Sequence, residues 1–396
     1  MRLITTSLAL ILVAASVTSA EEPLQLELGT PEPLPQELHS FNSNLLMATA
    51  LHGISYGGPE FGQAIRDLRP GGLRFPGGTT ANNYLWREDS YSLQKDDKTE
   101  WAAKQLELFR KIGRKYDLPG YARLCNESRL TPIYVLNVYE ETPESVAEMF
   151  NRFDELGLDV KAIEMGNEPY WDPRSLMNVW DYMKYCQPLA EAIRKARPDV
   201  KIGACFGPLR EGATYAEKWN APLAKQDWYD AIVYHEYYGG QGFALEKGEQ
   251  LTMEAVLHPA AFVDEPVEYF GKLLPGMPIW FTEWNIGSKG LDQWKNTGAE
   301  LLFIAATVSR IIDHREAFDW SCFHQIYEGK FGTFVYEKAT GIQTFPSYEL
   351  FRMIGAVSSR ANSLRPLELD PAGNLRGFAT EGDDGLRLLL LNRGDT

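Results

Sequence analysis

The chain has 396 residues, 44% of them apolar and 23% charged, enough for a large buried core and unlike the composition of a disordered segment. Its formal charge of −15 and the absence of any compact Lys/Arg cluster argue against nucleic acid or an anionic membrane as partner. The four cysteines, Cys125, Cys186, Cys205 and Cys322, form no CxxC and no Cys/His set at zinc spacing, so no metal and no other cofactor is expected.

Arg2, the apolar run Leu8 to Val13 and the small residues ending at Ser19-Ala20 have the layout of a cleavable secretory signal, too short for a membrane anchor. Its loss removes one positive charge, taking −15 to −16, and implies a secreted or periplasmic protein with no membrane attachment after cleavage. Export permits disulfides. Cys205 and Cys322 fall inside expected strands and read as buried thiols, which leaves Cys125 and Cys186 as the candidates for a bridge.

The mature chain opens with a Pro-rich stretch, residues 21–40, in which Leu24 to Leu28 alternates like an edge strand. A strand-helix rhythm then runs to residue 358. Phe41 to Ala48 reads as strand, Pro59 to Leu68 as helix, and Gly72 to Pro76 as strand ending in Gly77-Gly78. Glu100 to Tyr116 and Gly120 to Ser128 read as helix, Pro132 to Val138 as strand, and Thr142 to Leu156 as a helix opened by Thr142-Pro143-Glu144. Ala162 to Met165 is a strand, Leu176 to Ala196 a helix, Val200 to Cys205 a strand and Ala213 to Lys225 a helix. Ala231 to His235 and Pro278 to Thr282 are strands followed by the helical stretches Thr252 to Leu274 and Gly298 to His314. Phe318 to His324 and Ser347 to Met353 complete the series.

Eight strand-helix units in residues 41–358 predict a (β/α)8 barrel. An open doubly wound sheet is the rival, disfavoured because no GxGxxG follows the first strand. Polar groups instead gather at the ends of several strands, as they do on the catalytic face of a barrel. Residues 359–396 change character: Leu367 to Leu369, Leu375 to Ala379 and Leu386 to Asn392 are short strands joined by hairpin-like turns. They predict a small, incomplete β-sandwich accessory domain to which the N-terminal strand contributes.

Two strand ends carry the chemistry. Ala162-Ile163-Glu164-Met165-Gly166-Asn167-Glu168-Pro169-Tyr170-Trp171 is an apolar strand closing on an amide and a carboxylate, then a proline and two aromatics. Pro278-Ile279-Trp280-Phe281-Thr282-Glu283-Trp284-Asn285 repeats the design further along. Paired carboxyl groups beside flat apolar surface are what cleavage of a glycosidic bond requires: one carboxylate attacks the anomeric carbon, and one carboxylic acid protonates the leaving oxygen. Glu164 is expected deeper in the barrel than Glu168. Trp86, Trp171, Trp280 and Trp284 are candidate sugar platforms, shared between that role and core packing. Asn44 and Asn137 are further candidates for substrate contact, and Asn126-Glu127-Ser128 fits a glycosylation sequon.

Gly166-Asn167-Glu168-Pro169, His235-Glu236-Tyr237, Phe281-Thr282-Glu283-Trp284 and Leu73-Arg74-Phe75-Pro76-Gly77-Gly78 resemble retaining glycoside hydrolases of clan A. The likeness covers roughly residues 40 to 395 and lies with the arabinofuranosidase, xylosidase and heparanase/glucuronidase branch. That resemblance implies a barrel with a β-sandwich built from both chain ends. It implies Glu168 as acid/base, Glu283 as nucleophile, and Arg74 and Tyr237 as supports of the nucleophile. Asn167 is expected to donate to the sugar 2-hydroxyl, and His235 to orient one of the glutamates. Many clan members place a Trp at the mouth of strand 8; here Trp320 is near the start of that strand, and His324, Gln325 and Tyr327 occupy its mouth. A catalytically inactive carbohydrate-binding barrel is the alternative, and the intact glutamate pair argues against it.

Overall fold

Eight parallel strands close into a barrel in sequence order. They are β1 (Ser40–Asn42), β2 (Gly72–Phe75), β3 (Thr131–Leu136), β4 (Ala162–Met165), β5 (Lys201–Cys205), β6 (Ala231–Tyr238), β7 (Ile279–Ile286) and β8 (Phe318–Phe323), with β8 paired back to β1. Helices α1 (Pro59–Leu68), α2 (Leu118–Ser128), α3 (Pro143–Glu155), α4 (Val179–Ala196), α5 (Ala221–Leu223), α6 (Ala260–Leu273), α7 (Gly298–Asp313) and α8 (Pro346–Ser358) follow the strands. This computed structural model describes residues 10–13, 27–92, 115–170, 178–209, 215–238, 260–287, 294–327, 331–337, 340–359, 361, 363–365, 367–368, 375–383 and 385–392, with 107, 109, 111 and 113. Most of the expected helix at 100–116 and the candidate platform Trp171 lie outside the described residues.

Local chemistry fixes several boundaries. At α3, Thr142 Oγ1 accepts from Ser145 N at 3.3 Å and Ser145 Oγ accepts from Thr142 N at 3.0 Å, with Pro143 in the first turn, as the sequence led one to expect. The strand expected over 41–48 ends instead at Asn42, and Leu46–His52 is a helix closed by Gly53 at φ +72°. An unbroken apolar run fits either state, and Leu, Met and Ala favour the helix. Strands β6 and β7 run past their expected ends at His235 and Thr282, because Glu236 to Tyr238 of one stay paired with Trp284 to Ile286 of the other.

Two indoles fill the barrel where its strands begin. A Cβ on Gly72 would lie 2.4 Å from Cζ3 of Trp320, and one on Gly203 would lie 2.6 Å from Cε3 of Trp280. Glycine in β2 and β5 thus makes room for large rings on β8 and β7. Trp280 is therefore core rather than a sugar platform. Trp284 is also core: its N–H donates to Ser321 Oγ at 2.9 Å, and its ring packs on Phe281 and Phe323. Trp86 is buried with the Arg87 guanidinium 4.4 Å from its ring.

All four cysteines are free and buried, so the candidate pair Cys125 and Cys186 is not bridged. Cys125 is on α2 and Cys186 on α4, with α3 between them in the helical ring, whereas a disulfide needs Cα atoms within about 7 Å. Asn126 of the sequon is helical, and its amide donates to Gly157 O at 2.9 Å.

The accessory region is built from β9 (Ser363–Arg365), β10 (Leu367–Glu368), β11 (Leu375–Gly382) and β12 (Gly385–Asn392). Strands β11 and β12 form the expected hairpin, and β9, which the sequence reading missed, pairs with β11. Glu27–Leu28 pairs antiparallel with β10, so the N-terminal stretch contributes a strand as expected. Leu10–Val13, within the segment read as a secretory signal, lies parallel to Leu388–Leu391 of β12. An Ile/Leu/Val run has the β propensity to pair there as readily as it makes a signal core. No helix among the described residues is long and apolar enough to cross a membrane.

Candidate active site

The barrel interior changes from apolar to ionic halfway up. Arg74 on β2 is wholly buried, and its guanidinium meets three partners, two from β4 and the turn after it and one from β7. Its Nε donates to Glu164 Oε2 at 2.8 Å, Nη1 to Glu283 Oε1 at 2.7 Å and Nη2 to Asn167 Oδ1 at 2.8 Å. Burial works against the charge of Arg74, but the Glu164 and Glu283 carboxylates outweigh it and hold the group protonated far above its ordinary range. Such a cation is fixed in place by several partners at once, and only the loss of both carboxylates would strand a buried charge.

Glu283 lies within β7, three residues before its end, where the register against β8 slips between Phe281 and Trp284. Its Oε1 also accepts from Asn42 Nδ2 at 2.9 Å, and its Oε2 accepts from the Tyr237 hydroxyl at 2.6 Å. Nδ1 of His324 is 3.5 Å and Nδ1 of His235 3.9 Å from Oε2. Burial alone would raise the Glu283 pKa, but His324, His235 and Arg74, with the Tyr237 hydroxyl bond, bring it well below the usual carboxylate range. The Tyr237 phenol moves the other way, pushed well up by burial and by the charges of Glu283 and Glu168, so it remains a proton donor.

Glu168 follows β4 by three residues and faces outward: its side chain is 21% exposed against 4% for Glu283. The backbone turns sharply to deliver it. Gly166 has φ +81° and Glu168 itself φ +45°, a conformation that costs a non-glycine residue about 1 to 3 kcal/mol and gathers at functional sites. His235 Nδ1 is 3.1 Å from Glu168 Oε1, and its Nε2 is 3.2 Å from Thr282 Oγ1. One ligating atom from each of Glu168, His235 and Glu283 lies within 4.8 Å of the others. That spacing would accept a divalent cation, and it equally brackets a bond to be cut between two carboxyl groups.

The structure thus gathers Glu168, Glu283, Arg74, Asn167, His235, Tyr237 and His324 at one rim. Gln325, 3% exposed, is bonded through its backbone N–H to Phe331 O at 3.2 Å. Asn44 and Asn137 are not hydrogen-bonded to either glutamate. Asn44 Oδ1 accepts from Leu46 N at 3.2 Å, and Asn137 Oδ1 accepts from Tyr139 N at 3.3 Å. Short polar side chains at strand ends commonly satisfy the next turn in this way. Asn42 was missed, since one asparagine ending a three-residue strand makes no pattern. Only pairing with β2 puts it beside Arg74.

The chain matches no protein-family model and no curated protein. Solved structures share its architecture. A family 51 α-L-arabinofuranosidase from Bifidobacterium longum superposes with TM-score 0.68 at 13% identity, over 94% of this chain and 86% of that one. A family 51 arabinofuranosidase from Xanthomonas axonopodis pv. citri gives 0.67 at 16% identity, over 93% and 84%. A family 44 xyloglucanase from Paenibacillus polymyxa gives 0.57 at 10% identity, over 91% and 85%. At such identities the likeness establishes the fold: a (β/α)8 barrel with an accessory β-sheet region.

Proposed function

We propose that the protein is an exported retaining glycoside hydrolase acting on oligo- or polysaccharides, with Glu283 as nucleophile and Glu168 as acid/base. The observation that carries this reading is that one carboxyl oxygen of Glu283, within β7, and one of Glu168, just after β4, lie within 4.8 Å of each other. Retaining enzymes hold theirs about 5 to 5.5 Å apart, and inverting enzymes about 6.5 to 9.5 Å apart to admit a water.

The surroundings divide the roles. Glu283, deep and held ionised, attacks the anomeric carbon while the more exposed Glu168 gives its proton to the glycosidic oxygen, releasing the aglycone and leaving a glycosyl ester. Glu168, now a carboxylate, takes a proton from water as that water attacks the same carbon, and Glu283 departs as carboxylate. Because Arg74 occupies Asn167 Oδ1, the Asn167 NH2 is the half of the amide that can serve a sugar 2-hydroxyl. Fold neighbours named as arabinofuranosidases and a xyloglucanase support a saccharide substrate of this kind. Export rests on the Arg2 to Ala20 pattern alone.

A screen of aryl arabinofuranoside, xyloside, glucoside, galactoside and glucuronide tests the proposal: release of phenol from at least one is expected, and from none would defeat it. Tyr237→Phe provides a finer check. Its hydroxyl bond favours ionised Glu283, so its loss raises the Glu283 pKa, and the acidic limb of the rate profile should move to higher pH. An unmoved limb would remove Tyr237 from the mechanism.

A further inference from the structure

The turn that leaves β2 reaches the supports of both carboxyl groups. A Cβ on Gly78 would lie 2.9 Å from Glu283 Oε1 and 3.6 Å from His324 Cε1, so a glycine there lets the backbone come close against the nucleophile. Asn82 follows in the same turn, Thr79–Asn83, and is 1% exposed. Its side-chain amide pairs with the Asn167 peptide in both directions: Nδ2 donates to Asn167 O at 2.7 Å, and Oδ1 accepts from Asn167 N at 2.9 Å. That is how a neighbouring strand would hold a residue. It is made where the strand ladder has stopped, since β4 ends at Met165 and its last pairing with β5 is Glu164 to Gly203. The peptide so held lies between Gly166 at φ +81° and Glu168 at φ +45°. Asn82 therefore acts where the chain turns the acid toward the substrate.

We infer that Asn82 is a positioning residue for the acid/base: it substitutes for a missing strand and fixes the angle at which Glu168 leaves the backbone. The inference rests on the reading of Glu168 given above. Removing the side chain leaves Asn167 N–H and C=O unpaired in buried surroundings and frees the turn to relax. A displacement of about 1 Å at a catalytic group costs on the order of 10²-fold in rate. The loss should fall on the step that needs a proton donor.

The test compares wild type, Asn82→Ala, Asn82→Asp and Glu168→Ala on the phenyl and 2,4-dinitrophenyl glycosides of whichever sugar the wild type cleaves. Phenolate is a poor leaving group and needs the acid; dinitrophenolate does not. For Asn82→Ala, kcat/KM on the phenyl glycoside should fall about 10²-fold while that on the dinitrophenyl glycoside stays within about threefold. Asn82→Asp matches the native size and keeps the acceptor while losing the donor, so it should show the same pattern at about tenfold. It carries the test if Asn82→Ala does not fold. Equal losses on both substrates, or none on either, would overturn the inference and leave Asn82 a structural residue. If Glu168→Ala itself lacked leaving-group dependence, the acid assignment would fail first, and the inference with it. A dependent Glu168→Ala beside an indifferent Asn82 pair would overturn Asn82 alone.

Discussion

Glu283→Ala is expected to lose on the order of 10⁴- to 10⁶-fold in kcat, equally on good and poor leaving groups, because no glycosyl ester forms without the nucleophile. The folded state should survive. Arg74 keeps Glu164 and Asn167 as partners, so no guanidinium is stranded, and circular dichroism should match the wild type. Small anions fitting the vacated space should restore part of the rate. Azide entering there attacks the face that Glu283 would have attacked, and the glycosyl azide should carry the opposite anomeric configuration to the substrate. A Glu283→Ala variant that retained activity toward either leaving group would place the nucleophile elsewhere.

Glu168→Ala should behave differently. With a poor leaving group the rate should fall about 10²- to 10⁴-fold, since aglycone departure then lacks its proton. Dinitrophenolate departs without help, so that glycosylation step should persist and the glycosyl ester should accumulate, because no base activates water. Azide needs no base and should restore turnover, giving a product with the substrate's configuration. The 21% exposure of the Glu168 side chain gives an anion a more open approach than the 4% exposure of Glu283, so rescue should be the stronger in Glu168→Ala. Leaving-group dependence in Glu283→Ala in place of Glu168→Ala would mean the two roles are exchanged.

The barrel was legible because its signals are local and periodic. Strand β4 begins and ends where its apolar run does, and α3 starts at its Thr-Pro-Glu cap. The two glutamates stand out in the sequence for another reason: each follows a short apolar run, and a carboxylate is conspicuous there. What was missed depends on contacts between elements distant in sequence. Asn42 meets Glu283, 241 residues on, and Asn82 meets Asn167 across 85 residues; neither asparagine stands out from the other asparagines of the chain. The sequence left Trp280 and Trp284 open between platform and core for the same reason, since the glycine of β5 and the packing around Phe323 decide which way those rings turn. Residues 46–48, the first turn of helix Leu46–His52, fell within the expected strand because the short apolar run there carries no period to choose between the two.

Double displacement by Glu168 and Glu283, which bring one carboxyl oxygen each within 4.8 Å, is tested most directly by the stereochemistry of the first product. Proton NMR of an aryl glycoside mixed with enzyme in deuterated buffer should show, before mutarotation, a sugar with the anomeric configuration of the substrate. Early appearance of the opposite anomer would mean that water attacks directly, and would contradict the assignment of Glu283 as nucleophile.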